Sequence, residues 1–202
     1  MKKIYSIAFL ISAFSMLESC APAFIAGGAA AAGGSAIQER SFGTQVNDTT
    51  TWGKIRSALA SKDKGFSDIT VEVNEGRALL IGVVDTPEDR LEVLKIVWRQ
   101  HGVSEVINEI TIGKYEHSIK GIATDSWITT QLKSKLLLAQ SVKSMNYNIE
   151  TIDRVVYLIG IAQNQEELDA ATSIASKIKY VEKVVSYVRL KDSKIRKDKY
   201  NL

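Results

Sequence analysis

The chain has 202 residues, a length that admits two small domains. Hydrophobic residues make up 45% and charged residues 24%, a balance that excludes a disordered chain and a polytopic membrane protein. The formal charge of +3 is too small to mark a nucleic-acid binder, though it permits contact with an anionic surface. The single cysteine, Cys20, excludes an intramolecular disulfide.

Lys2 and Lys3 open the chain as a positive segment, and Ile4 to Leu17 follow as an apolar run of 14 residues. That run has the length of a secretory signal core and is short for a membrane span. It ends at Leu17-Glu18-Ser19-Cys20, which resembles the bacterial lipobox, with Glu18 standing where that pattern has a small or apolar residue. The expectation is a signal peptide over 1–19 and a mature chain acylated at Cys20, palmitate included, whose two or three acyl chains anchor stably. An ordinary cleaved signal with a free thiol, or an uncleaved anchor, is the alternative. Ala21 follows the cysteine, not the aspartate that in the enterobacterial sorting system favours inner-membrane retention, and that resemblance implies the outer membrane, facing the periplasm, as the destination. Residues 20–45 are rich in Ala and Gly and read as a tether, with a small-residue helix packed in the bilayer as the other reading.

Beyond the tether the chain repeats itself. Laying Gly82 on Gly160, an offset of 78, matches Leu80-Ile81-Gly82-Val83 with Leu158-Ile159-Gly160-Ile161. The register then persists through Glu88 and Glu166, Ile96 and Ile174, Val106 and Val184, and Ile112 and Leu190. Upstream the offset becomes 77, placing Ile55 on Leu132, Leu59 on Leu136 and Trp52 on Thr129.

Each copy decodes as helix, strand, strand, helix, strand. The first helices are expected at about Thr50–Ser61 and Ser126–Gln140. Strands follow at 69–73 and 147–151, then at 77–83 and 155–161 after short turns. Thr86-Pro87-Glu88-Asp89 and Asn164-Gln165-Glu166-Glu167 start the second helices with a cap and acids in the first turn. The last strands are expected at 105–112 and 183–190. The fold class is therefore α+β: two tandem α-β-β-α-β domains, each a three-stranded mixed sheet covered by two helices, with a right-handed crossover. The expected boundaries are 46–114 and 124–191, with a linker at 115–123 and a basic tail at 192–202.

The helix after Asp125 carries more hydrophobes than a fold needs. At about 100° per residue, Ile128, Leu132, Leu136 and Ala139 share the core side. Trp127, Leu137 and Leu138 lie roughly opposite, beside Thr130 and Ser134. At the matching positions the first copy has Thr50, Ala60 and Ser61, with Gly53 and Ser57 beside them. Folding alone did not call for the larger set. Three readings explain it: contact with a membrane, with Lys133 and Lys135 flanking toward anionic headgroups; packing against the first domain or the linker; or contact with a protein partner.

Catalytic and metal chemistry finds little support. His101 and His117 are isolated in expected loop or linker, and the only cysteine sits in the lipobox. Gly82 and Gly160 are lone glycines at strand ends, suited to close packing or a bulge rather than a phosphate loop. No serine is marked as a nucleophile with a base. No enzyme, cofactor or metal is expected. The tail from Lys191 to Tyr200 holds five basic residues and two acids, and reads equally as an attraction to an anionic bilayer or as a solvated, frayed terminus.

The Leu-Leu-Ile-Gly and Tyr-Leu-Ile-Gly strands, the Glu-bearing second helices and the closing Val103/Val106 and Val181/Val184 pairs resemble the BON domain. The layout is similar to the dual BON-domain outer-membrane lipoproteins, notably Gly43-Thr44-Gln45-Val46-Asn47-Asp48 before the first unit and Asp125-Ser126-Trp127-Ile128-Thr129-Thr130 opening the second. That resemblance implies binding of anionic phospholipid through the second domain and support of outer-membrane integrity; some members concentrate at the division site. It favours the membrane reading and marks Trp127, Thr130, Lys133, Ser134, Leu137 and Leu138 as the lipid-binding set. The alternative is a scaffolding lipoprotein whose exposed helix meets another envelope protein, such as an outer-membrane assembly protein.

Overall fold

A computed structural model describes residues 41–62, 66–113 and 119–196. The readings for residues 1–40, Cys20 among them, for His117 and for residues 197–202 lie outside the described residues.

In the first copy, α1 (Phe42–Ala60) leads to β1 (Thr70–Asn74), β2 (Arg77–Val84), α2 (Pro87–Trp98) and β3 (Glu105–Ile112). The second repeats the order with α3 (Ile119–Leu138), β4 (Tyr147–Ile152), β5 (Val155–Ala162), α4 (Gln165–Ser176) and β6 (Lys183–Leu190). β1 pairs antiparallel with β2, which pairs parallel with β3, and the second sheet repeats this with β4, β5 and β6. The two mixed sheets are those expected. Gly82 lies across from Ile110 as Gly160 lies across from Val188, so the repeat keeps its register in space.

Both first helices start earlier than expected. α1 begins at Phe42 rather than near Thr50, capped by the Ser41 hydroxyl, which accepts from the Thr44 N–H at 3.1 Å. α3 begins at Ile119 rather than Ser126 and so takes up part of the stretch read as linker. The added turns carry no apolar stripe, but each ends in an aspartate with a defined task. Asp48 accepts from the N–H groups of Glu75 and Gly76 at 2.8 and 2.9 Å, and Asp125 accepts from those of Asp153 and Arg154, both at 2.9 Å. Each helix thus clamps the turn between its own first two strands, satisfying N–H groups that the ladder leaves open.

The second helices start where their caps place them. The Thr86 hydroxyl accepts from the Asp89 N–H at 3.1 Å, and the Asn164 side chain accepts from the Glu167 N–H at 2.9 Å. Glu167 is itself buried, and its carboxylate accepts from the N–H groups of Lys143 and Gln163. The two lone glycines serve close approach, as expected. A Cβ on Gly160 would stand 2.1 Å from the Asn146 carbonyl oxygen, and one on Gly82 would stand 2.9 Å from Ile69 Cδ1.

Each sheet packs its helices on one face, around Ile55, Leu59, Val71, Leu80 and Val93 in the first copy and Ile128, Leu132, Leu136, Ile149 and Leu158 in the second. The opposite faces meet each other. Leu79, Ile81 and Ile159 are buried there, with Ile107, Ile152, Tyr157 and Tyr187 packed around them. Arg77 donates to the Tyr187 carbonyl at 2.7 Å, Arg189 reaches Glu105 at 2.5 Å, and the Tyr187 hydroxyl donates to Glu109. Domain–domain packing was one reading of the surplus hydrophobes on α3; the copies instead join sheet to sheet.

One residue of the tail, Arg196, departs from both readings, while Lys194 and Ile195 are exposed. Arg196 is buried and pairs with the equally buried Glu75, its Nε and a terminal nitrogen each 3.1 Å from Glu75 Oε1. It also donates to the Lys191 carbonyl at 3.2 Å. A buried carboxylate on the β1–β2 turn requires a compensating charge, and the segment after β6 supplies it. Through Arg196 that segment is part of the fold.

Candidate functional site

The core side of α3 is as expected: Ile128, Leu132 and Leu136 are fully buried, and Ala139 packs half-buried against the same cluster. The outer side is open. Trp127 is 42% exposed, Leu137 71% and Leu138 80%. Thr130 and Ser134 are exposed between them, and their hydroxyls are already engaged, donating to the Ser126 and Thr130 carbonyls at 2.8 and 2.9 Å. Their contribution to the face is therefore mostly methyl and methylene surface.

These residues form two clusters. Trp127 and Leu137 are ten positions apart on one helix, about 15 Å at 1.5 Å per residue. Lys133 and Lys135 are both exposed. Lys133 also lies near Glu150, whose carboxyl is pushed up to about 7. Burial is the main cause, the nearby charge of Glu72 adds to it, and the Lys133 charge opposes it. Glu72 and Glu150 are the same position in the two copies, and the neighbouring Asn148 amide donates to Glu72.

Tyr180 was not anticipated and completes the Trp127 end. Its ring stands edge-on to Trp127 with centroids 5.7 Å apart, and the Lys179 ammonium lies 4.6 Å from its centroid. It is 51% exposed. Its backbone adopts φ +70°, a left-handed conformation that bulky residues avoid, where the first copy has Gly102 at φ +100°. That mismatch was available as a signal, because Tyr180 matches a glycine at the offset of 78.

The first copy's helix also exposes an aromatic, away from the positions matched to Trp127, Leu137 and Leu138. Trp52 is 44% exposed, but its position matches Thr129, and its indole N–H donates to the Val71 carbonyl at 3.0 Å. There the ring covers an open carbonyl of edge strand β1. On the outer side of α1 Val46 is exposed, while Thr50, Gly53, Ser57, Ala60 and Ser61 are small.

Among the described residues no helix is long and apolar enough to cross a membrane, and no cluster of three or more His, Cys, Asp or Glu could hold a metal ion. His101 is exposed in the turn before β3.

The fold and this face define a class: a tandem pair of α-β-β-α-β units joined sheet to sheet, with the larger exposed apolar helix face on the second unit. The BON domain model matches residues 47–114 and 124–192, and the chain belongs to the BON-domain family. It is 35% identical over 189 residues to the outer membrane lipoprotein DolP of Haemophilus influenzae, covering 92% of this chain and 96% of that one. It is 48% identical over 132 residues to an uncharacterized protein in the gshII 5′ region of Anaplasma centrale, covering 65% and 87% of the two chains. It is 31% identical over 151 residues to the osmotically-inducible protein Y of Escherichia coli, covering 74% and 75%.

Proposed function

We propose that this chain is an outer-membrane lipoprotein, acylated at Cys20 and facing the periplasm. In this reading the outer face of α3 binds anionic phospholipid in a bilayer and so supports envelope integrity. The observation that carries it is the difference between the two copies. Both helices meet the same packing demand, yet only α3 adds Trp127, Leu137 and Leu138 to its outer face, all exposed. Trp at the headgroup level, leucines toward the acyl region and lysines alongside are the features of an interfacial helix. The relative named an outer membrane lipoprotein, matched along nearly its whole length, supports the anchoring and the location. The protein performs no catalysis in this reading; it is a binding module held near its ligand by its own lipid.

Two measurements in cells test this. Labelled palmitate should enter the wild-type chain and not Cys20→Ala; absence of label from the wild type removes the anchor. A photo-crosslinker at position 127 should yield mainly lipid adducts, whereas one dominant protein adduct would make the chain a scaffold for another envelope protein.

A further inference from the structure

A cleft lies between the first turns of α3, the β4–β5 turn and the turn before β6, lined by Lys120, Thr124, Trp127, Arg154, Lys179 and Tyr180 with Asp125 and Asp153. We propose that this cleft holds the phosphodiester of an anionic phospholipid in the bilayer surface. The proposal rests on the bilayer-contact reading of α3 and names the group that the second copy recognises.

The same cleft exists in the first copy, which serves as a control. The match is set by equivalent hydrogen bonds: the Asp48 and Asp125 carboxylates each accept from the two N–H groups of their turn. Ser104 N–H donates to the Gly76 carbonyl, and Glu182 N–H donates to that of Arg154. At the positions of Lys120, Trp127, Arg154, Lys179 and Tyr180, the first copy has Gly43, Thr50, Gly76, His101 and Gly102. The one cation lining the first cleft, Lys54, is Gln131 in the second. Cations therefore outnumber carboxylates in the second cleft, and the reverse holds in the first.

Backbone conformation gives an independent argument. Gly76 and Gly102 take φ +74° and +100°, where glycine is the unstrained choice. Arg154 and Tyr180 occupy the matching positions at φ +62° and +70°. The fold would be easier with glycine at both, so the two side chains are retained against strain, as happens where a site needs them.

The chemistry fits a phosphodiester. Arg154 spends one terminal nitrogen on exposed Glu182 at 2.8 Å and keeps further donors. Both Asp125 oxygens are occupied by the turn's N–H groups. A guanidinium fork with two ammonium groups suits the acceptors of a phosphate, and the Trp127–Tyr180 pair suits the level of the headgroups. Lys120, Trp127 and Leu138 share one side of α3 at 100° per residue, so the cleft opens toward the surface that meets the bilayer.

The described residues begin at Ser41, so the chain without its first 20 residues keeps all of them and serves for the test. Binding is measured to phosphatidylcholine vesicles with and without roughly a quarter phosphatidylglycerol, by co-sedimentation. The double variant Arg154→Gly/Tyr180→Gly, which restores the residues of the first copy, should melt no lower than the wild type, since it relieves strain at both positions. It should bind the anionic vesicles at least about fivefold more weakly, as expected for one surface cation and one aromatic, and lose most of its preference for them. Unchanged affinity and preference would overturn the cleft. If Trp127→Glu loses binding while the double variant keeps it, the cleft alone falls; if both bind as the wild type does, the bilayer contact falls with it. Millimolar glycerol phosphate should leave vesicle binding unchanged, and displacement by it would assign the cleft to a free phosphate instead.

Discussion

The meeting of Glu72 and Glu150 gives the fold a pH dependence that one substitution should remove. The Glu150 carboxyl is pushed from an ordinary 4.5 to about 7 by burial first and by the Glu72 charge second, with Lys133 opposing. Between those two values the folded protein holds a proton that the unfolded chain has released. Stability is therefore fully present below pH 4.5, falls as pH rises toward 7 and is flat above it. A difference of that size corresponds to about 3 kcal/mol at 1.36 kcal/mol per pH unit, or roughly 2 kcal/mol once partial exposure is allowed for. Glu150→Gln keeps the shape and hydrogen-bonding capacity without the charge. Urea unfolding followed by tryptophan fluorescence from pH 5 to 8, at constant salt, measures both proteins. Subtracting the variant's curve from the wild-type curve leaves the Glu150 contribution, which should decline by about 2 kcal/mol across that range, with the variant the more stable at pH 8. Parallel curves would refute the argument.

Three further outcomes are expected. Asp48→Ala and Asp125→Ala should each lower stability by about 1–3 kcal/mol in urea, because two turn N–H groups lose their acceptor; unchanged midpoints would mean that water replaces it freely. Gly160→Ala should cost about 2 kcal/mol or more, since its Cβ would meet the Asn146 backbone oxygen, while Gly53→Ala, with nothing within 4 Å, should stabilise α1 by up to about 1 kcal/mol; equal effects in thermal melts would contradict this. Arg196→Ala should cost about 3 kcal/mol by removing the guanidinium from buried Glu75, and Arg196→Met with Glu75→Gln should recover most of it; no loss in the single variant would mean that the tail is not part of the fold.

The repeat made most of the architecture legible. β3 and β6 could be placed at 105–112 and 183–190 because two copies with the same alternation locate one another, and the caps at Thr86 and Asn164 start α2 and α4 without tertiary help. The early turns of α1 and α3 were hidden because Gly43 to Thr50 and Lys120 to Asp125 show no apolar period. They exist to carry Asp48 and Asp125 to turns some 28 residues away, a contact that local pattern does not encode. The sheet-to-sheet junction had a readable sign, since Ala78 to Val84 is a nearly continuous apolar run of the kind buried on both faces. Comparison of the copies along the first helix alone found Trp127, Leu137 and Leu138. Extended to the turns, it would also have found Arg154 and Tyr180, each opposite a glycine.

The most direct test of the account is binding of the chain without its first 20 residues to phosphatidylglycerol-containing and neutral vesicles, for the wild type and for Trp127→Glu. The wild type should prefer the anionic vesicles, and the variant should lose that binding by tenfold or more while melting at the same temperature. That loss is about 1.4 kcal/mol, in keeping with withdrawing one interfacial tryptophan. Equal binding by the two proteins would mean that the outer face of α3 is not where this chain meets a membrane.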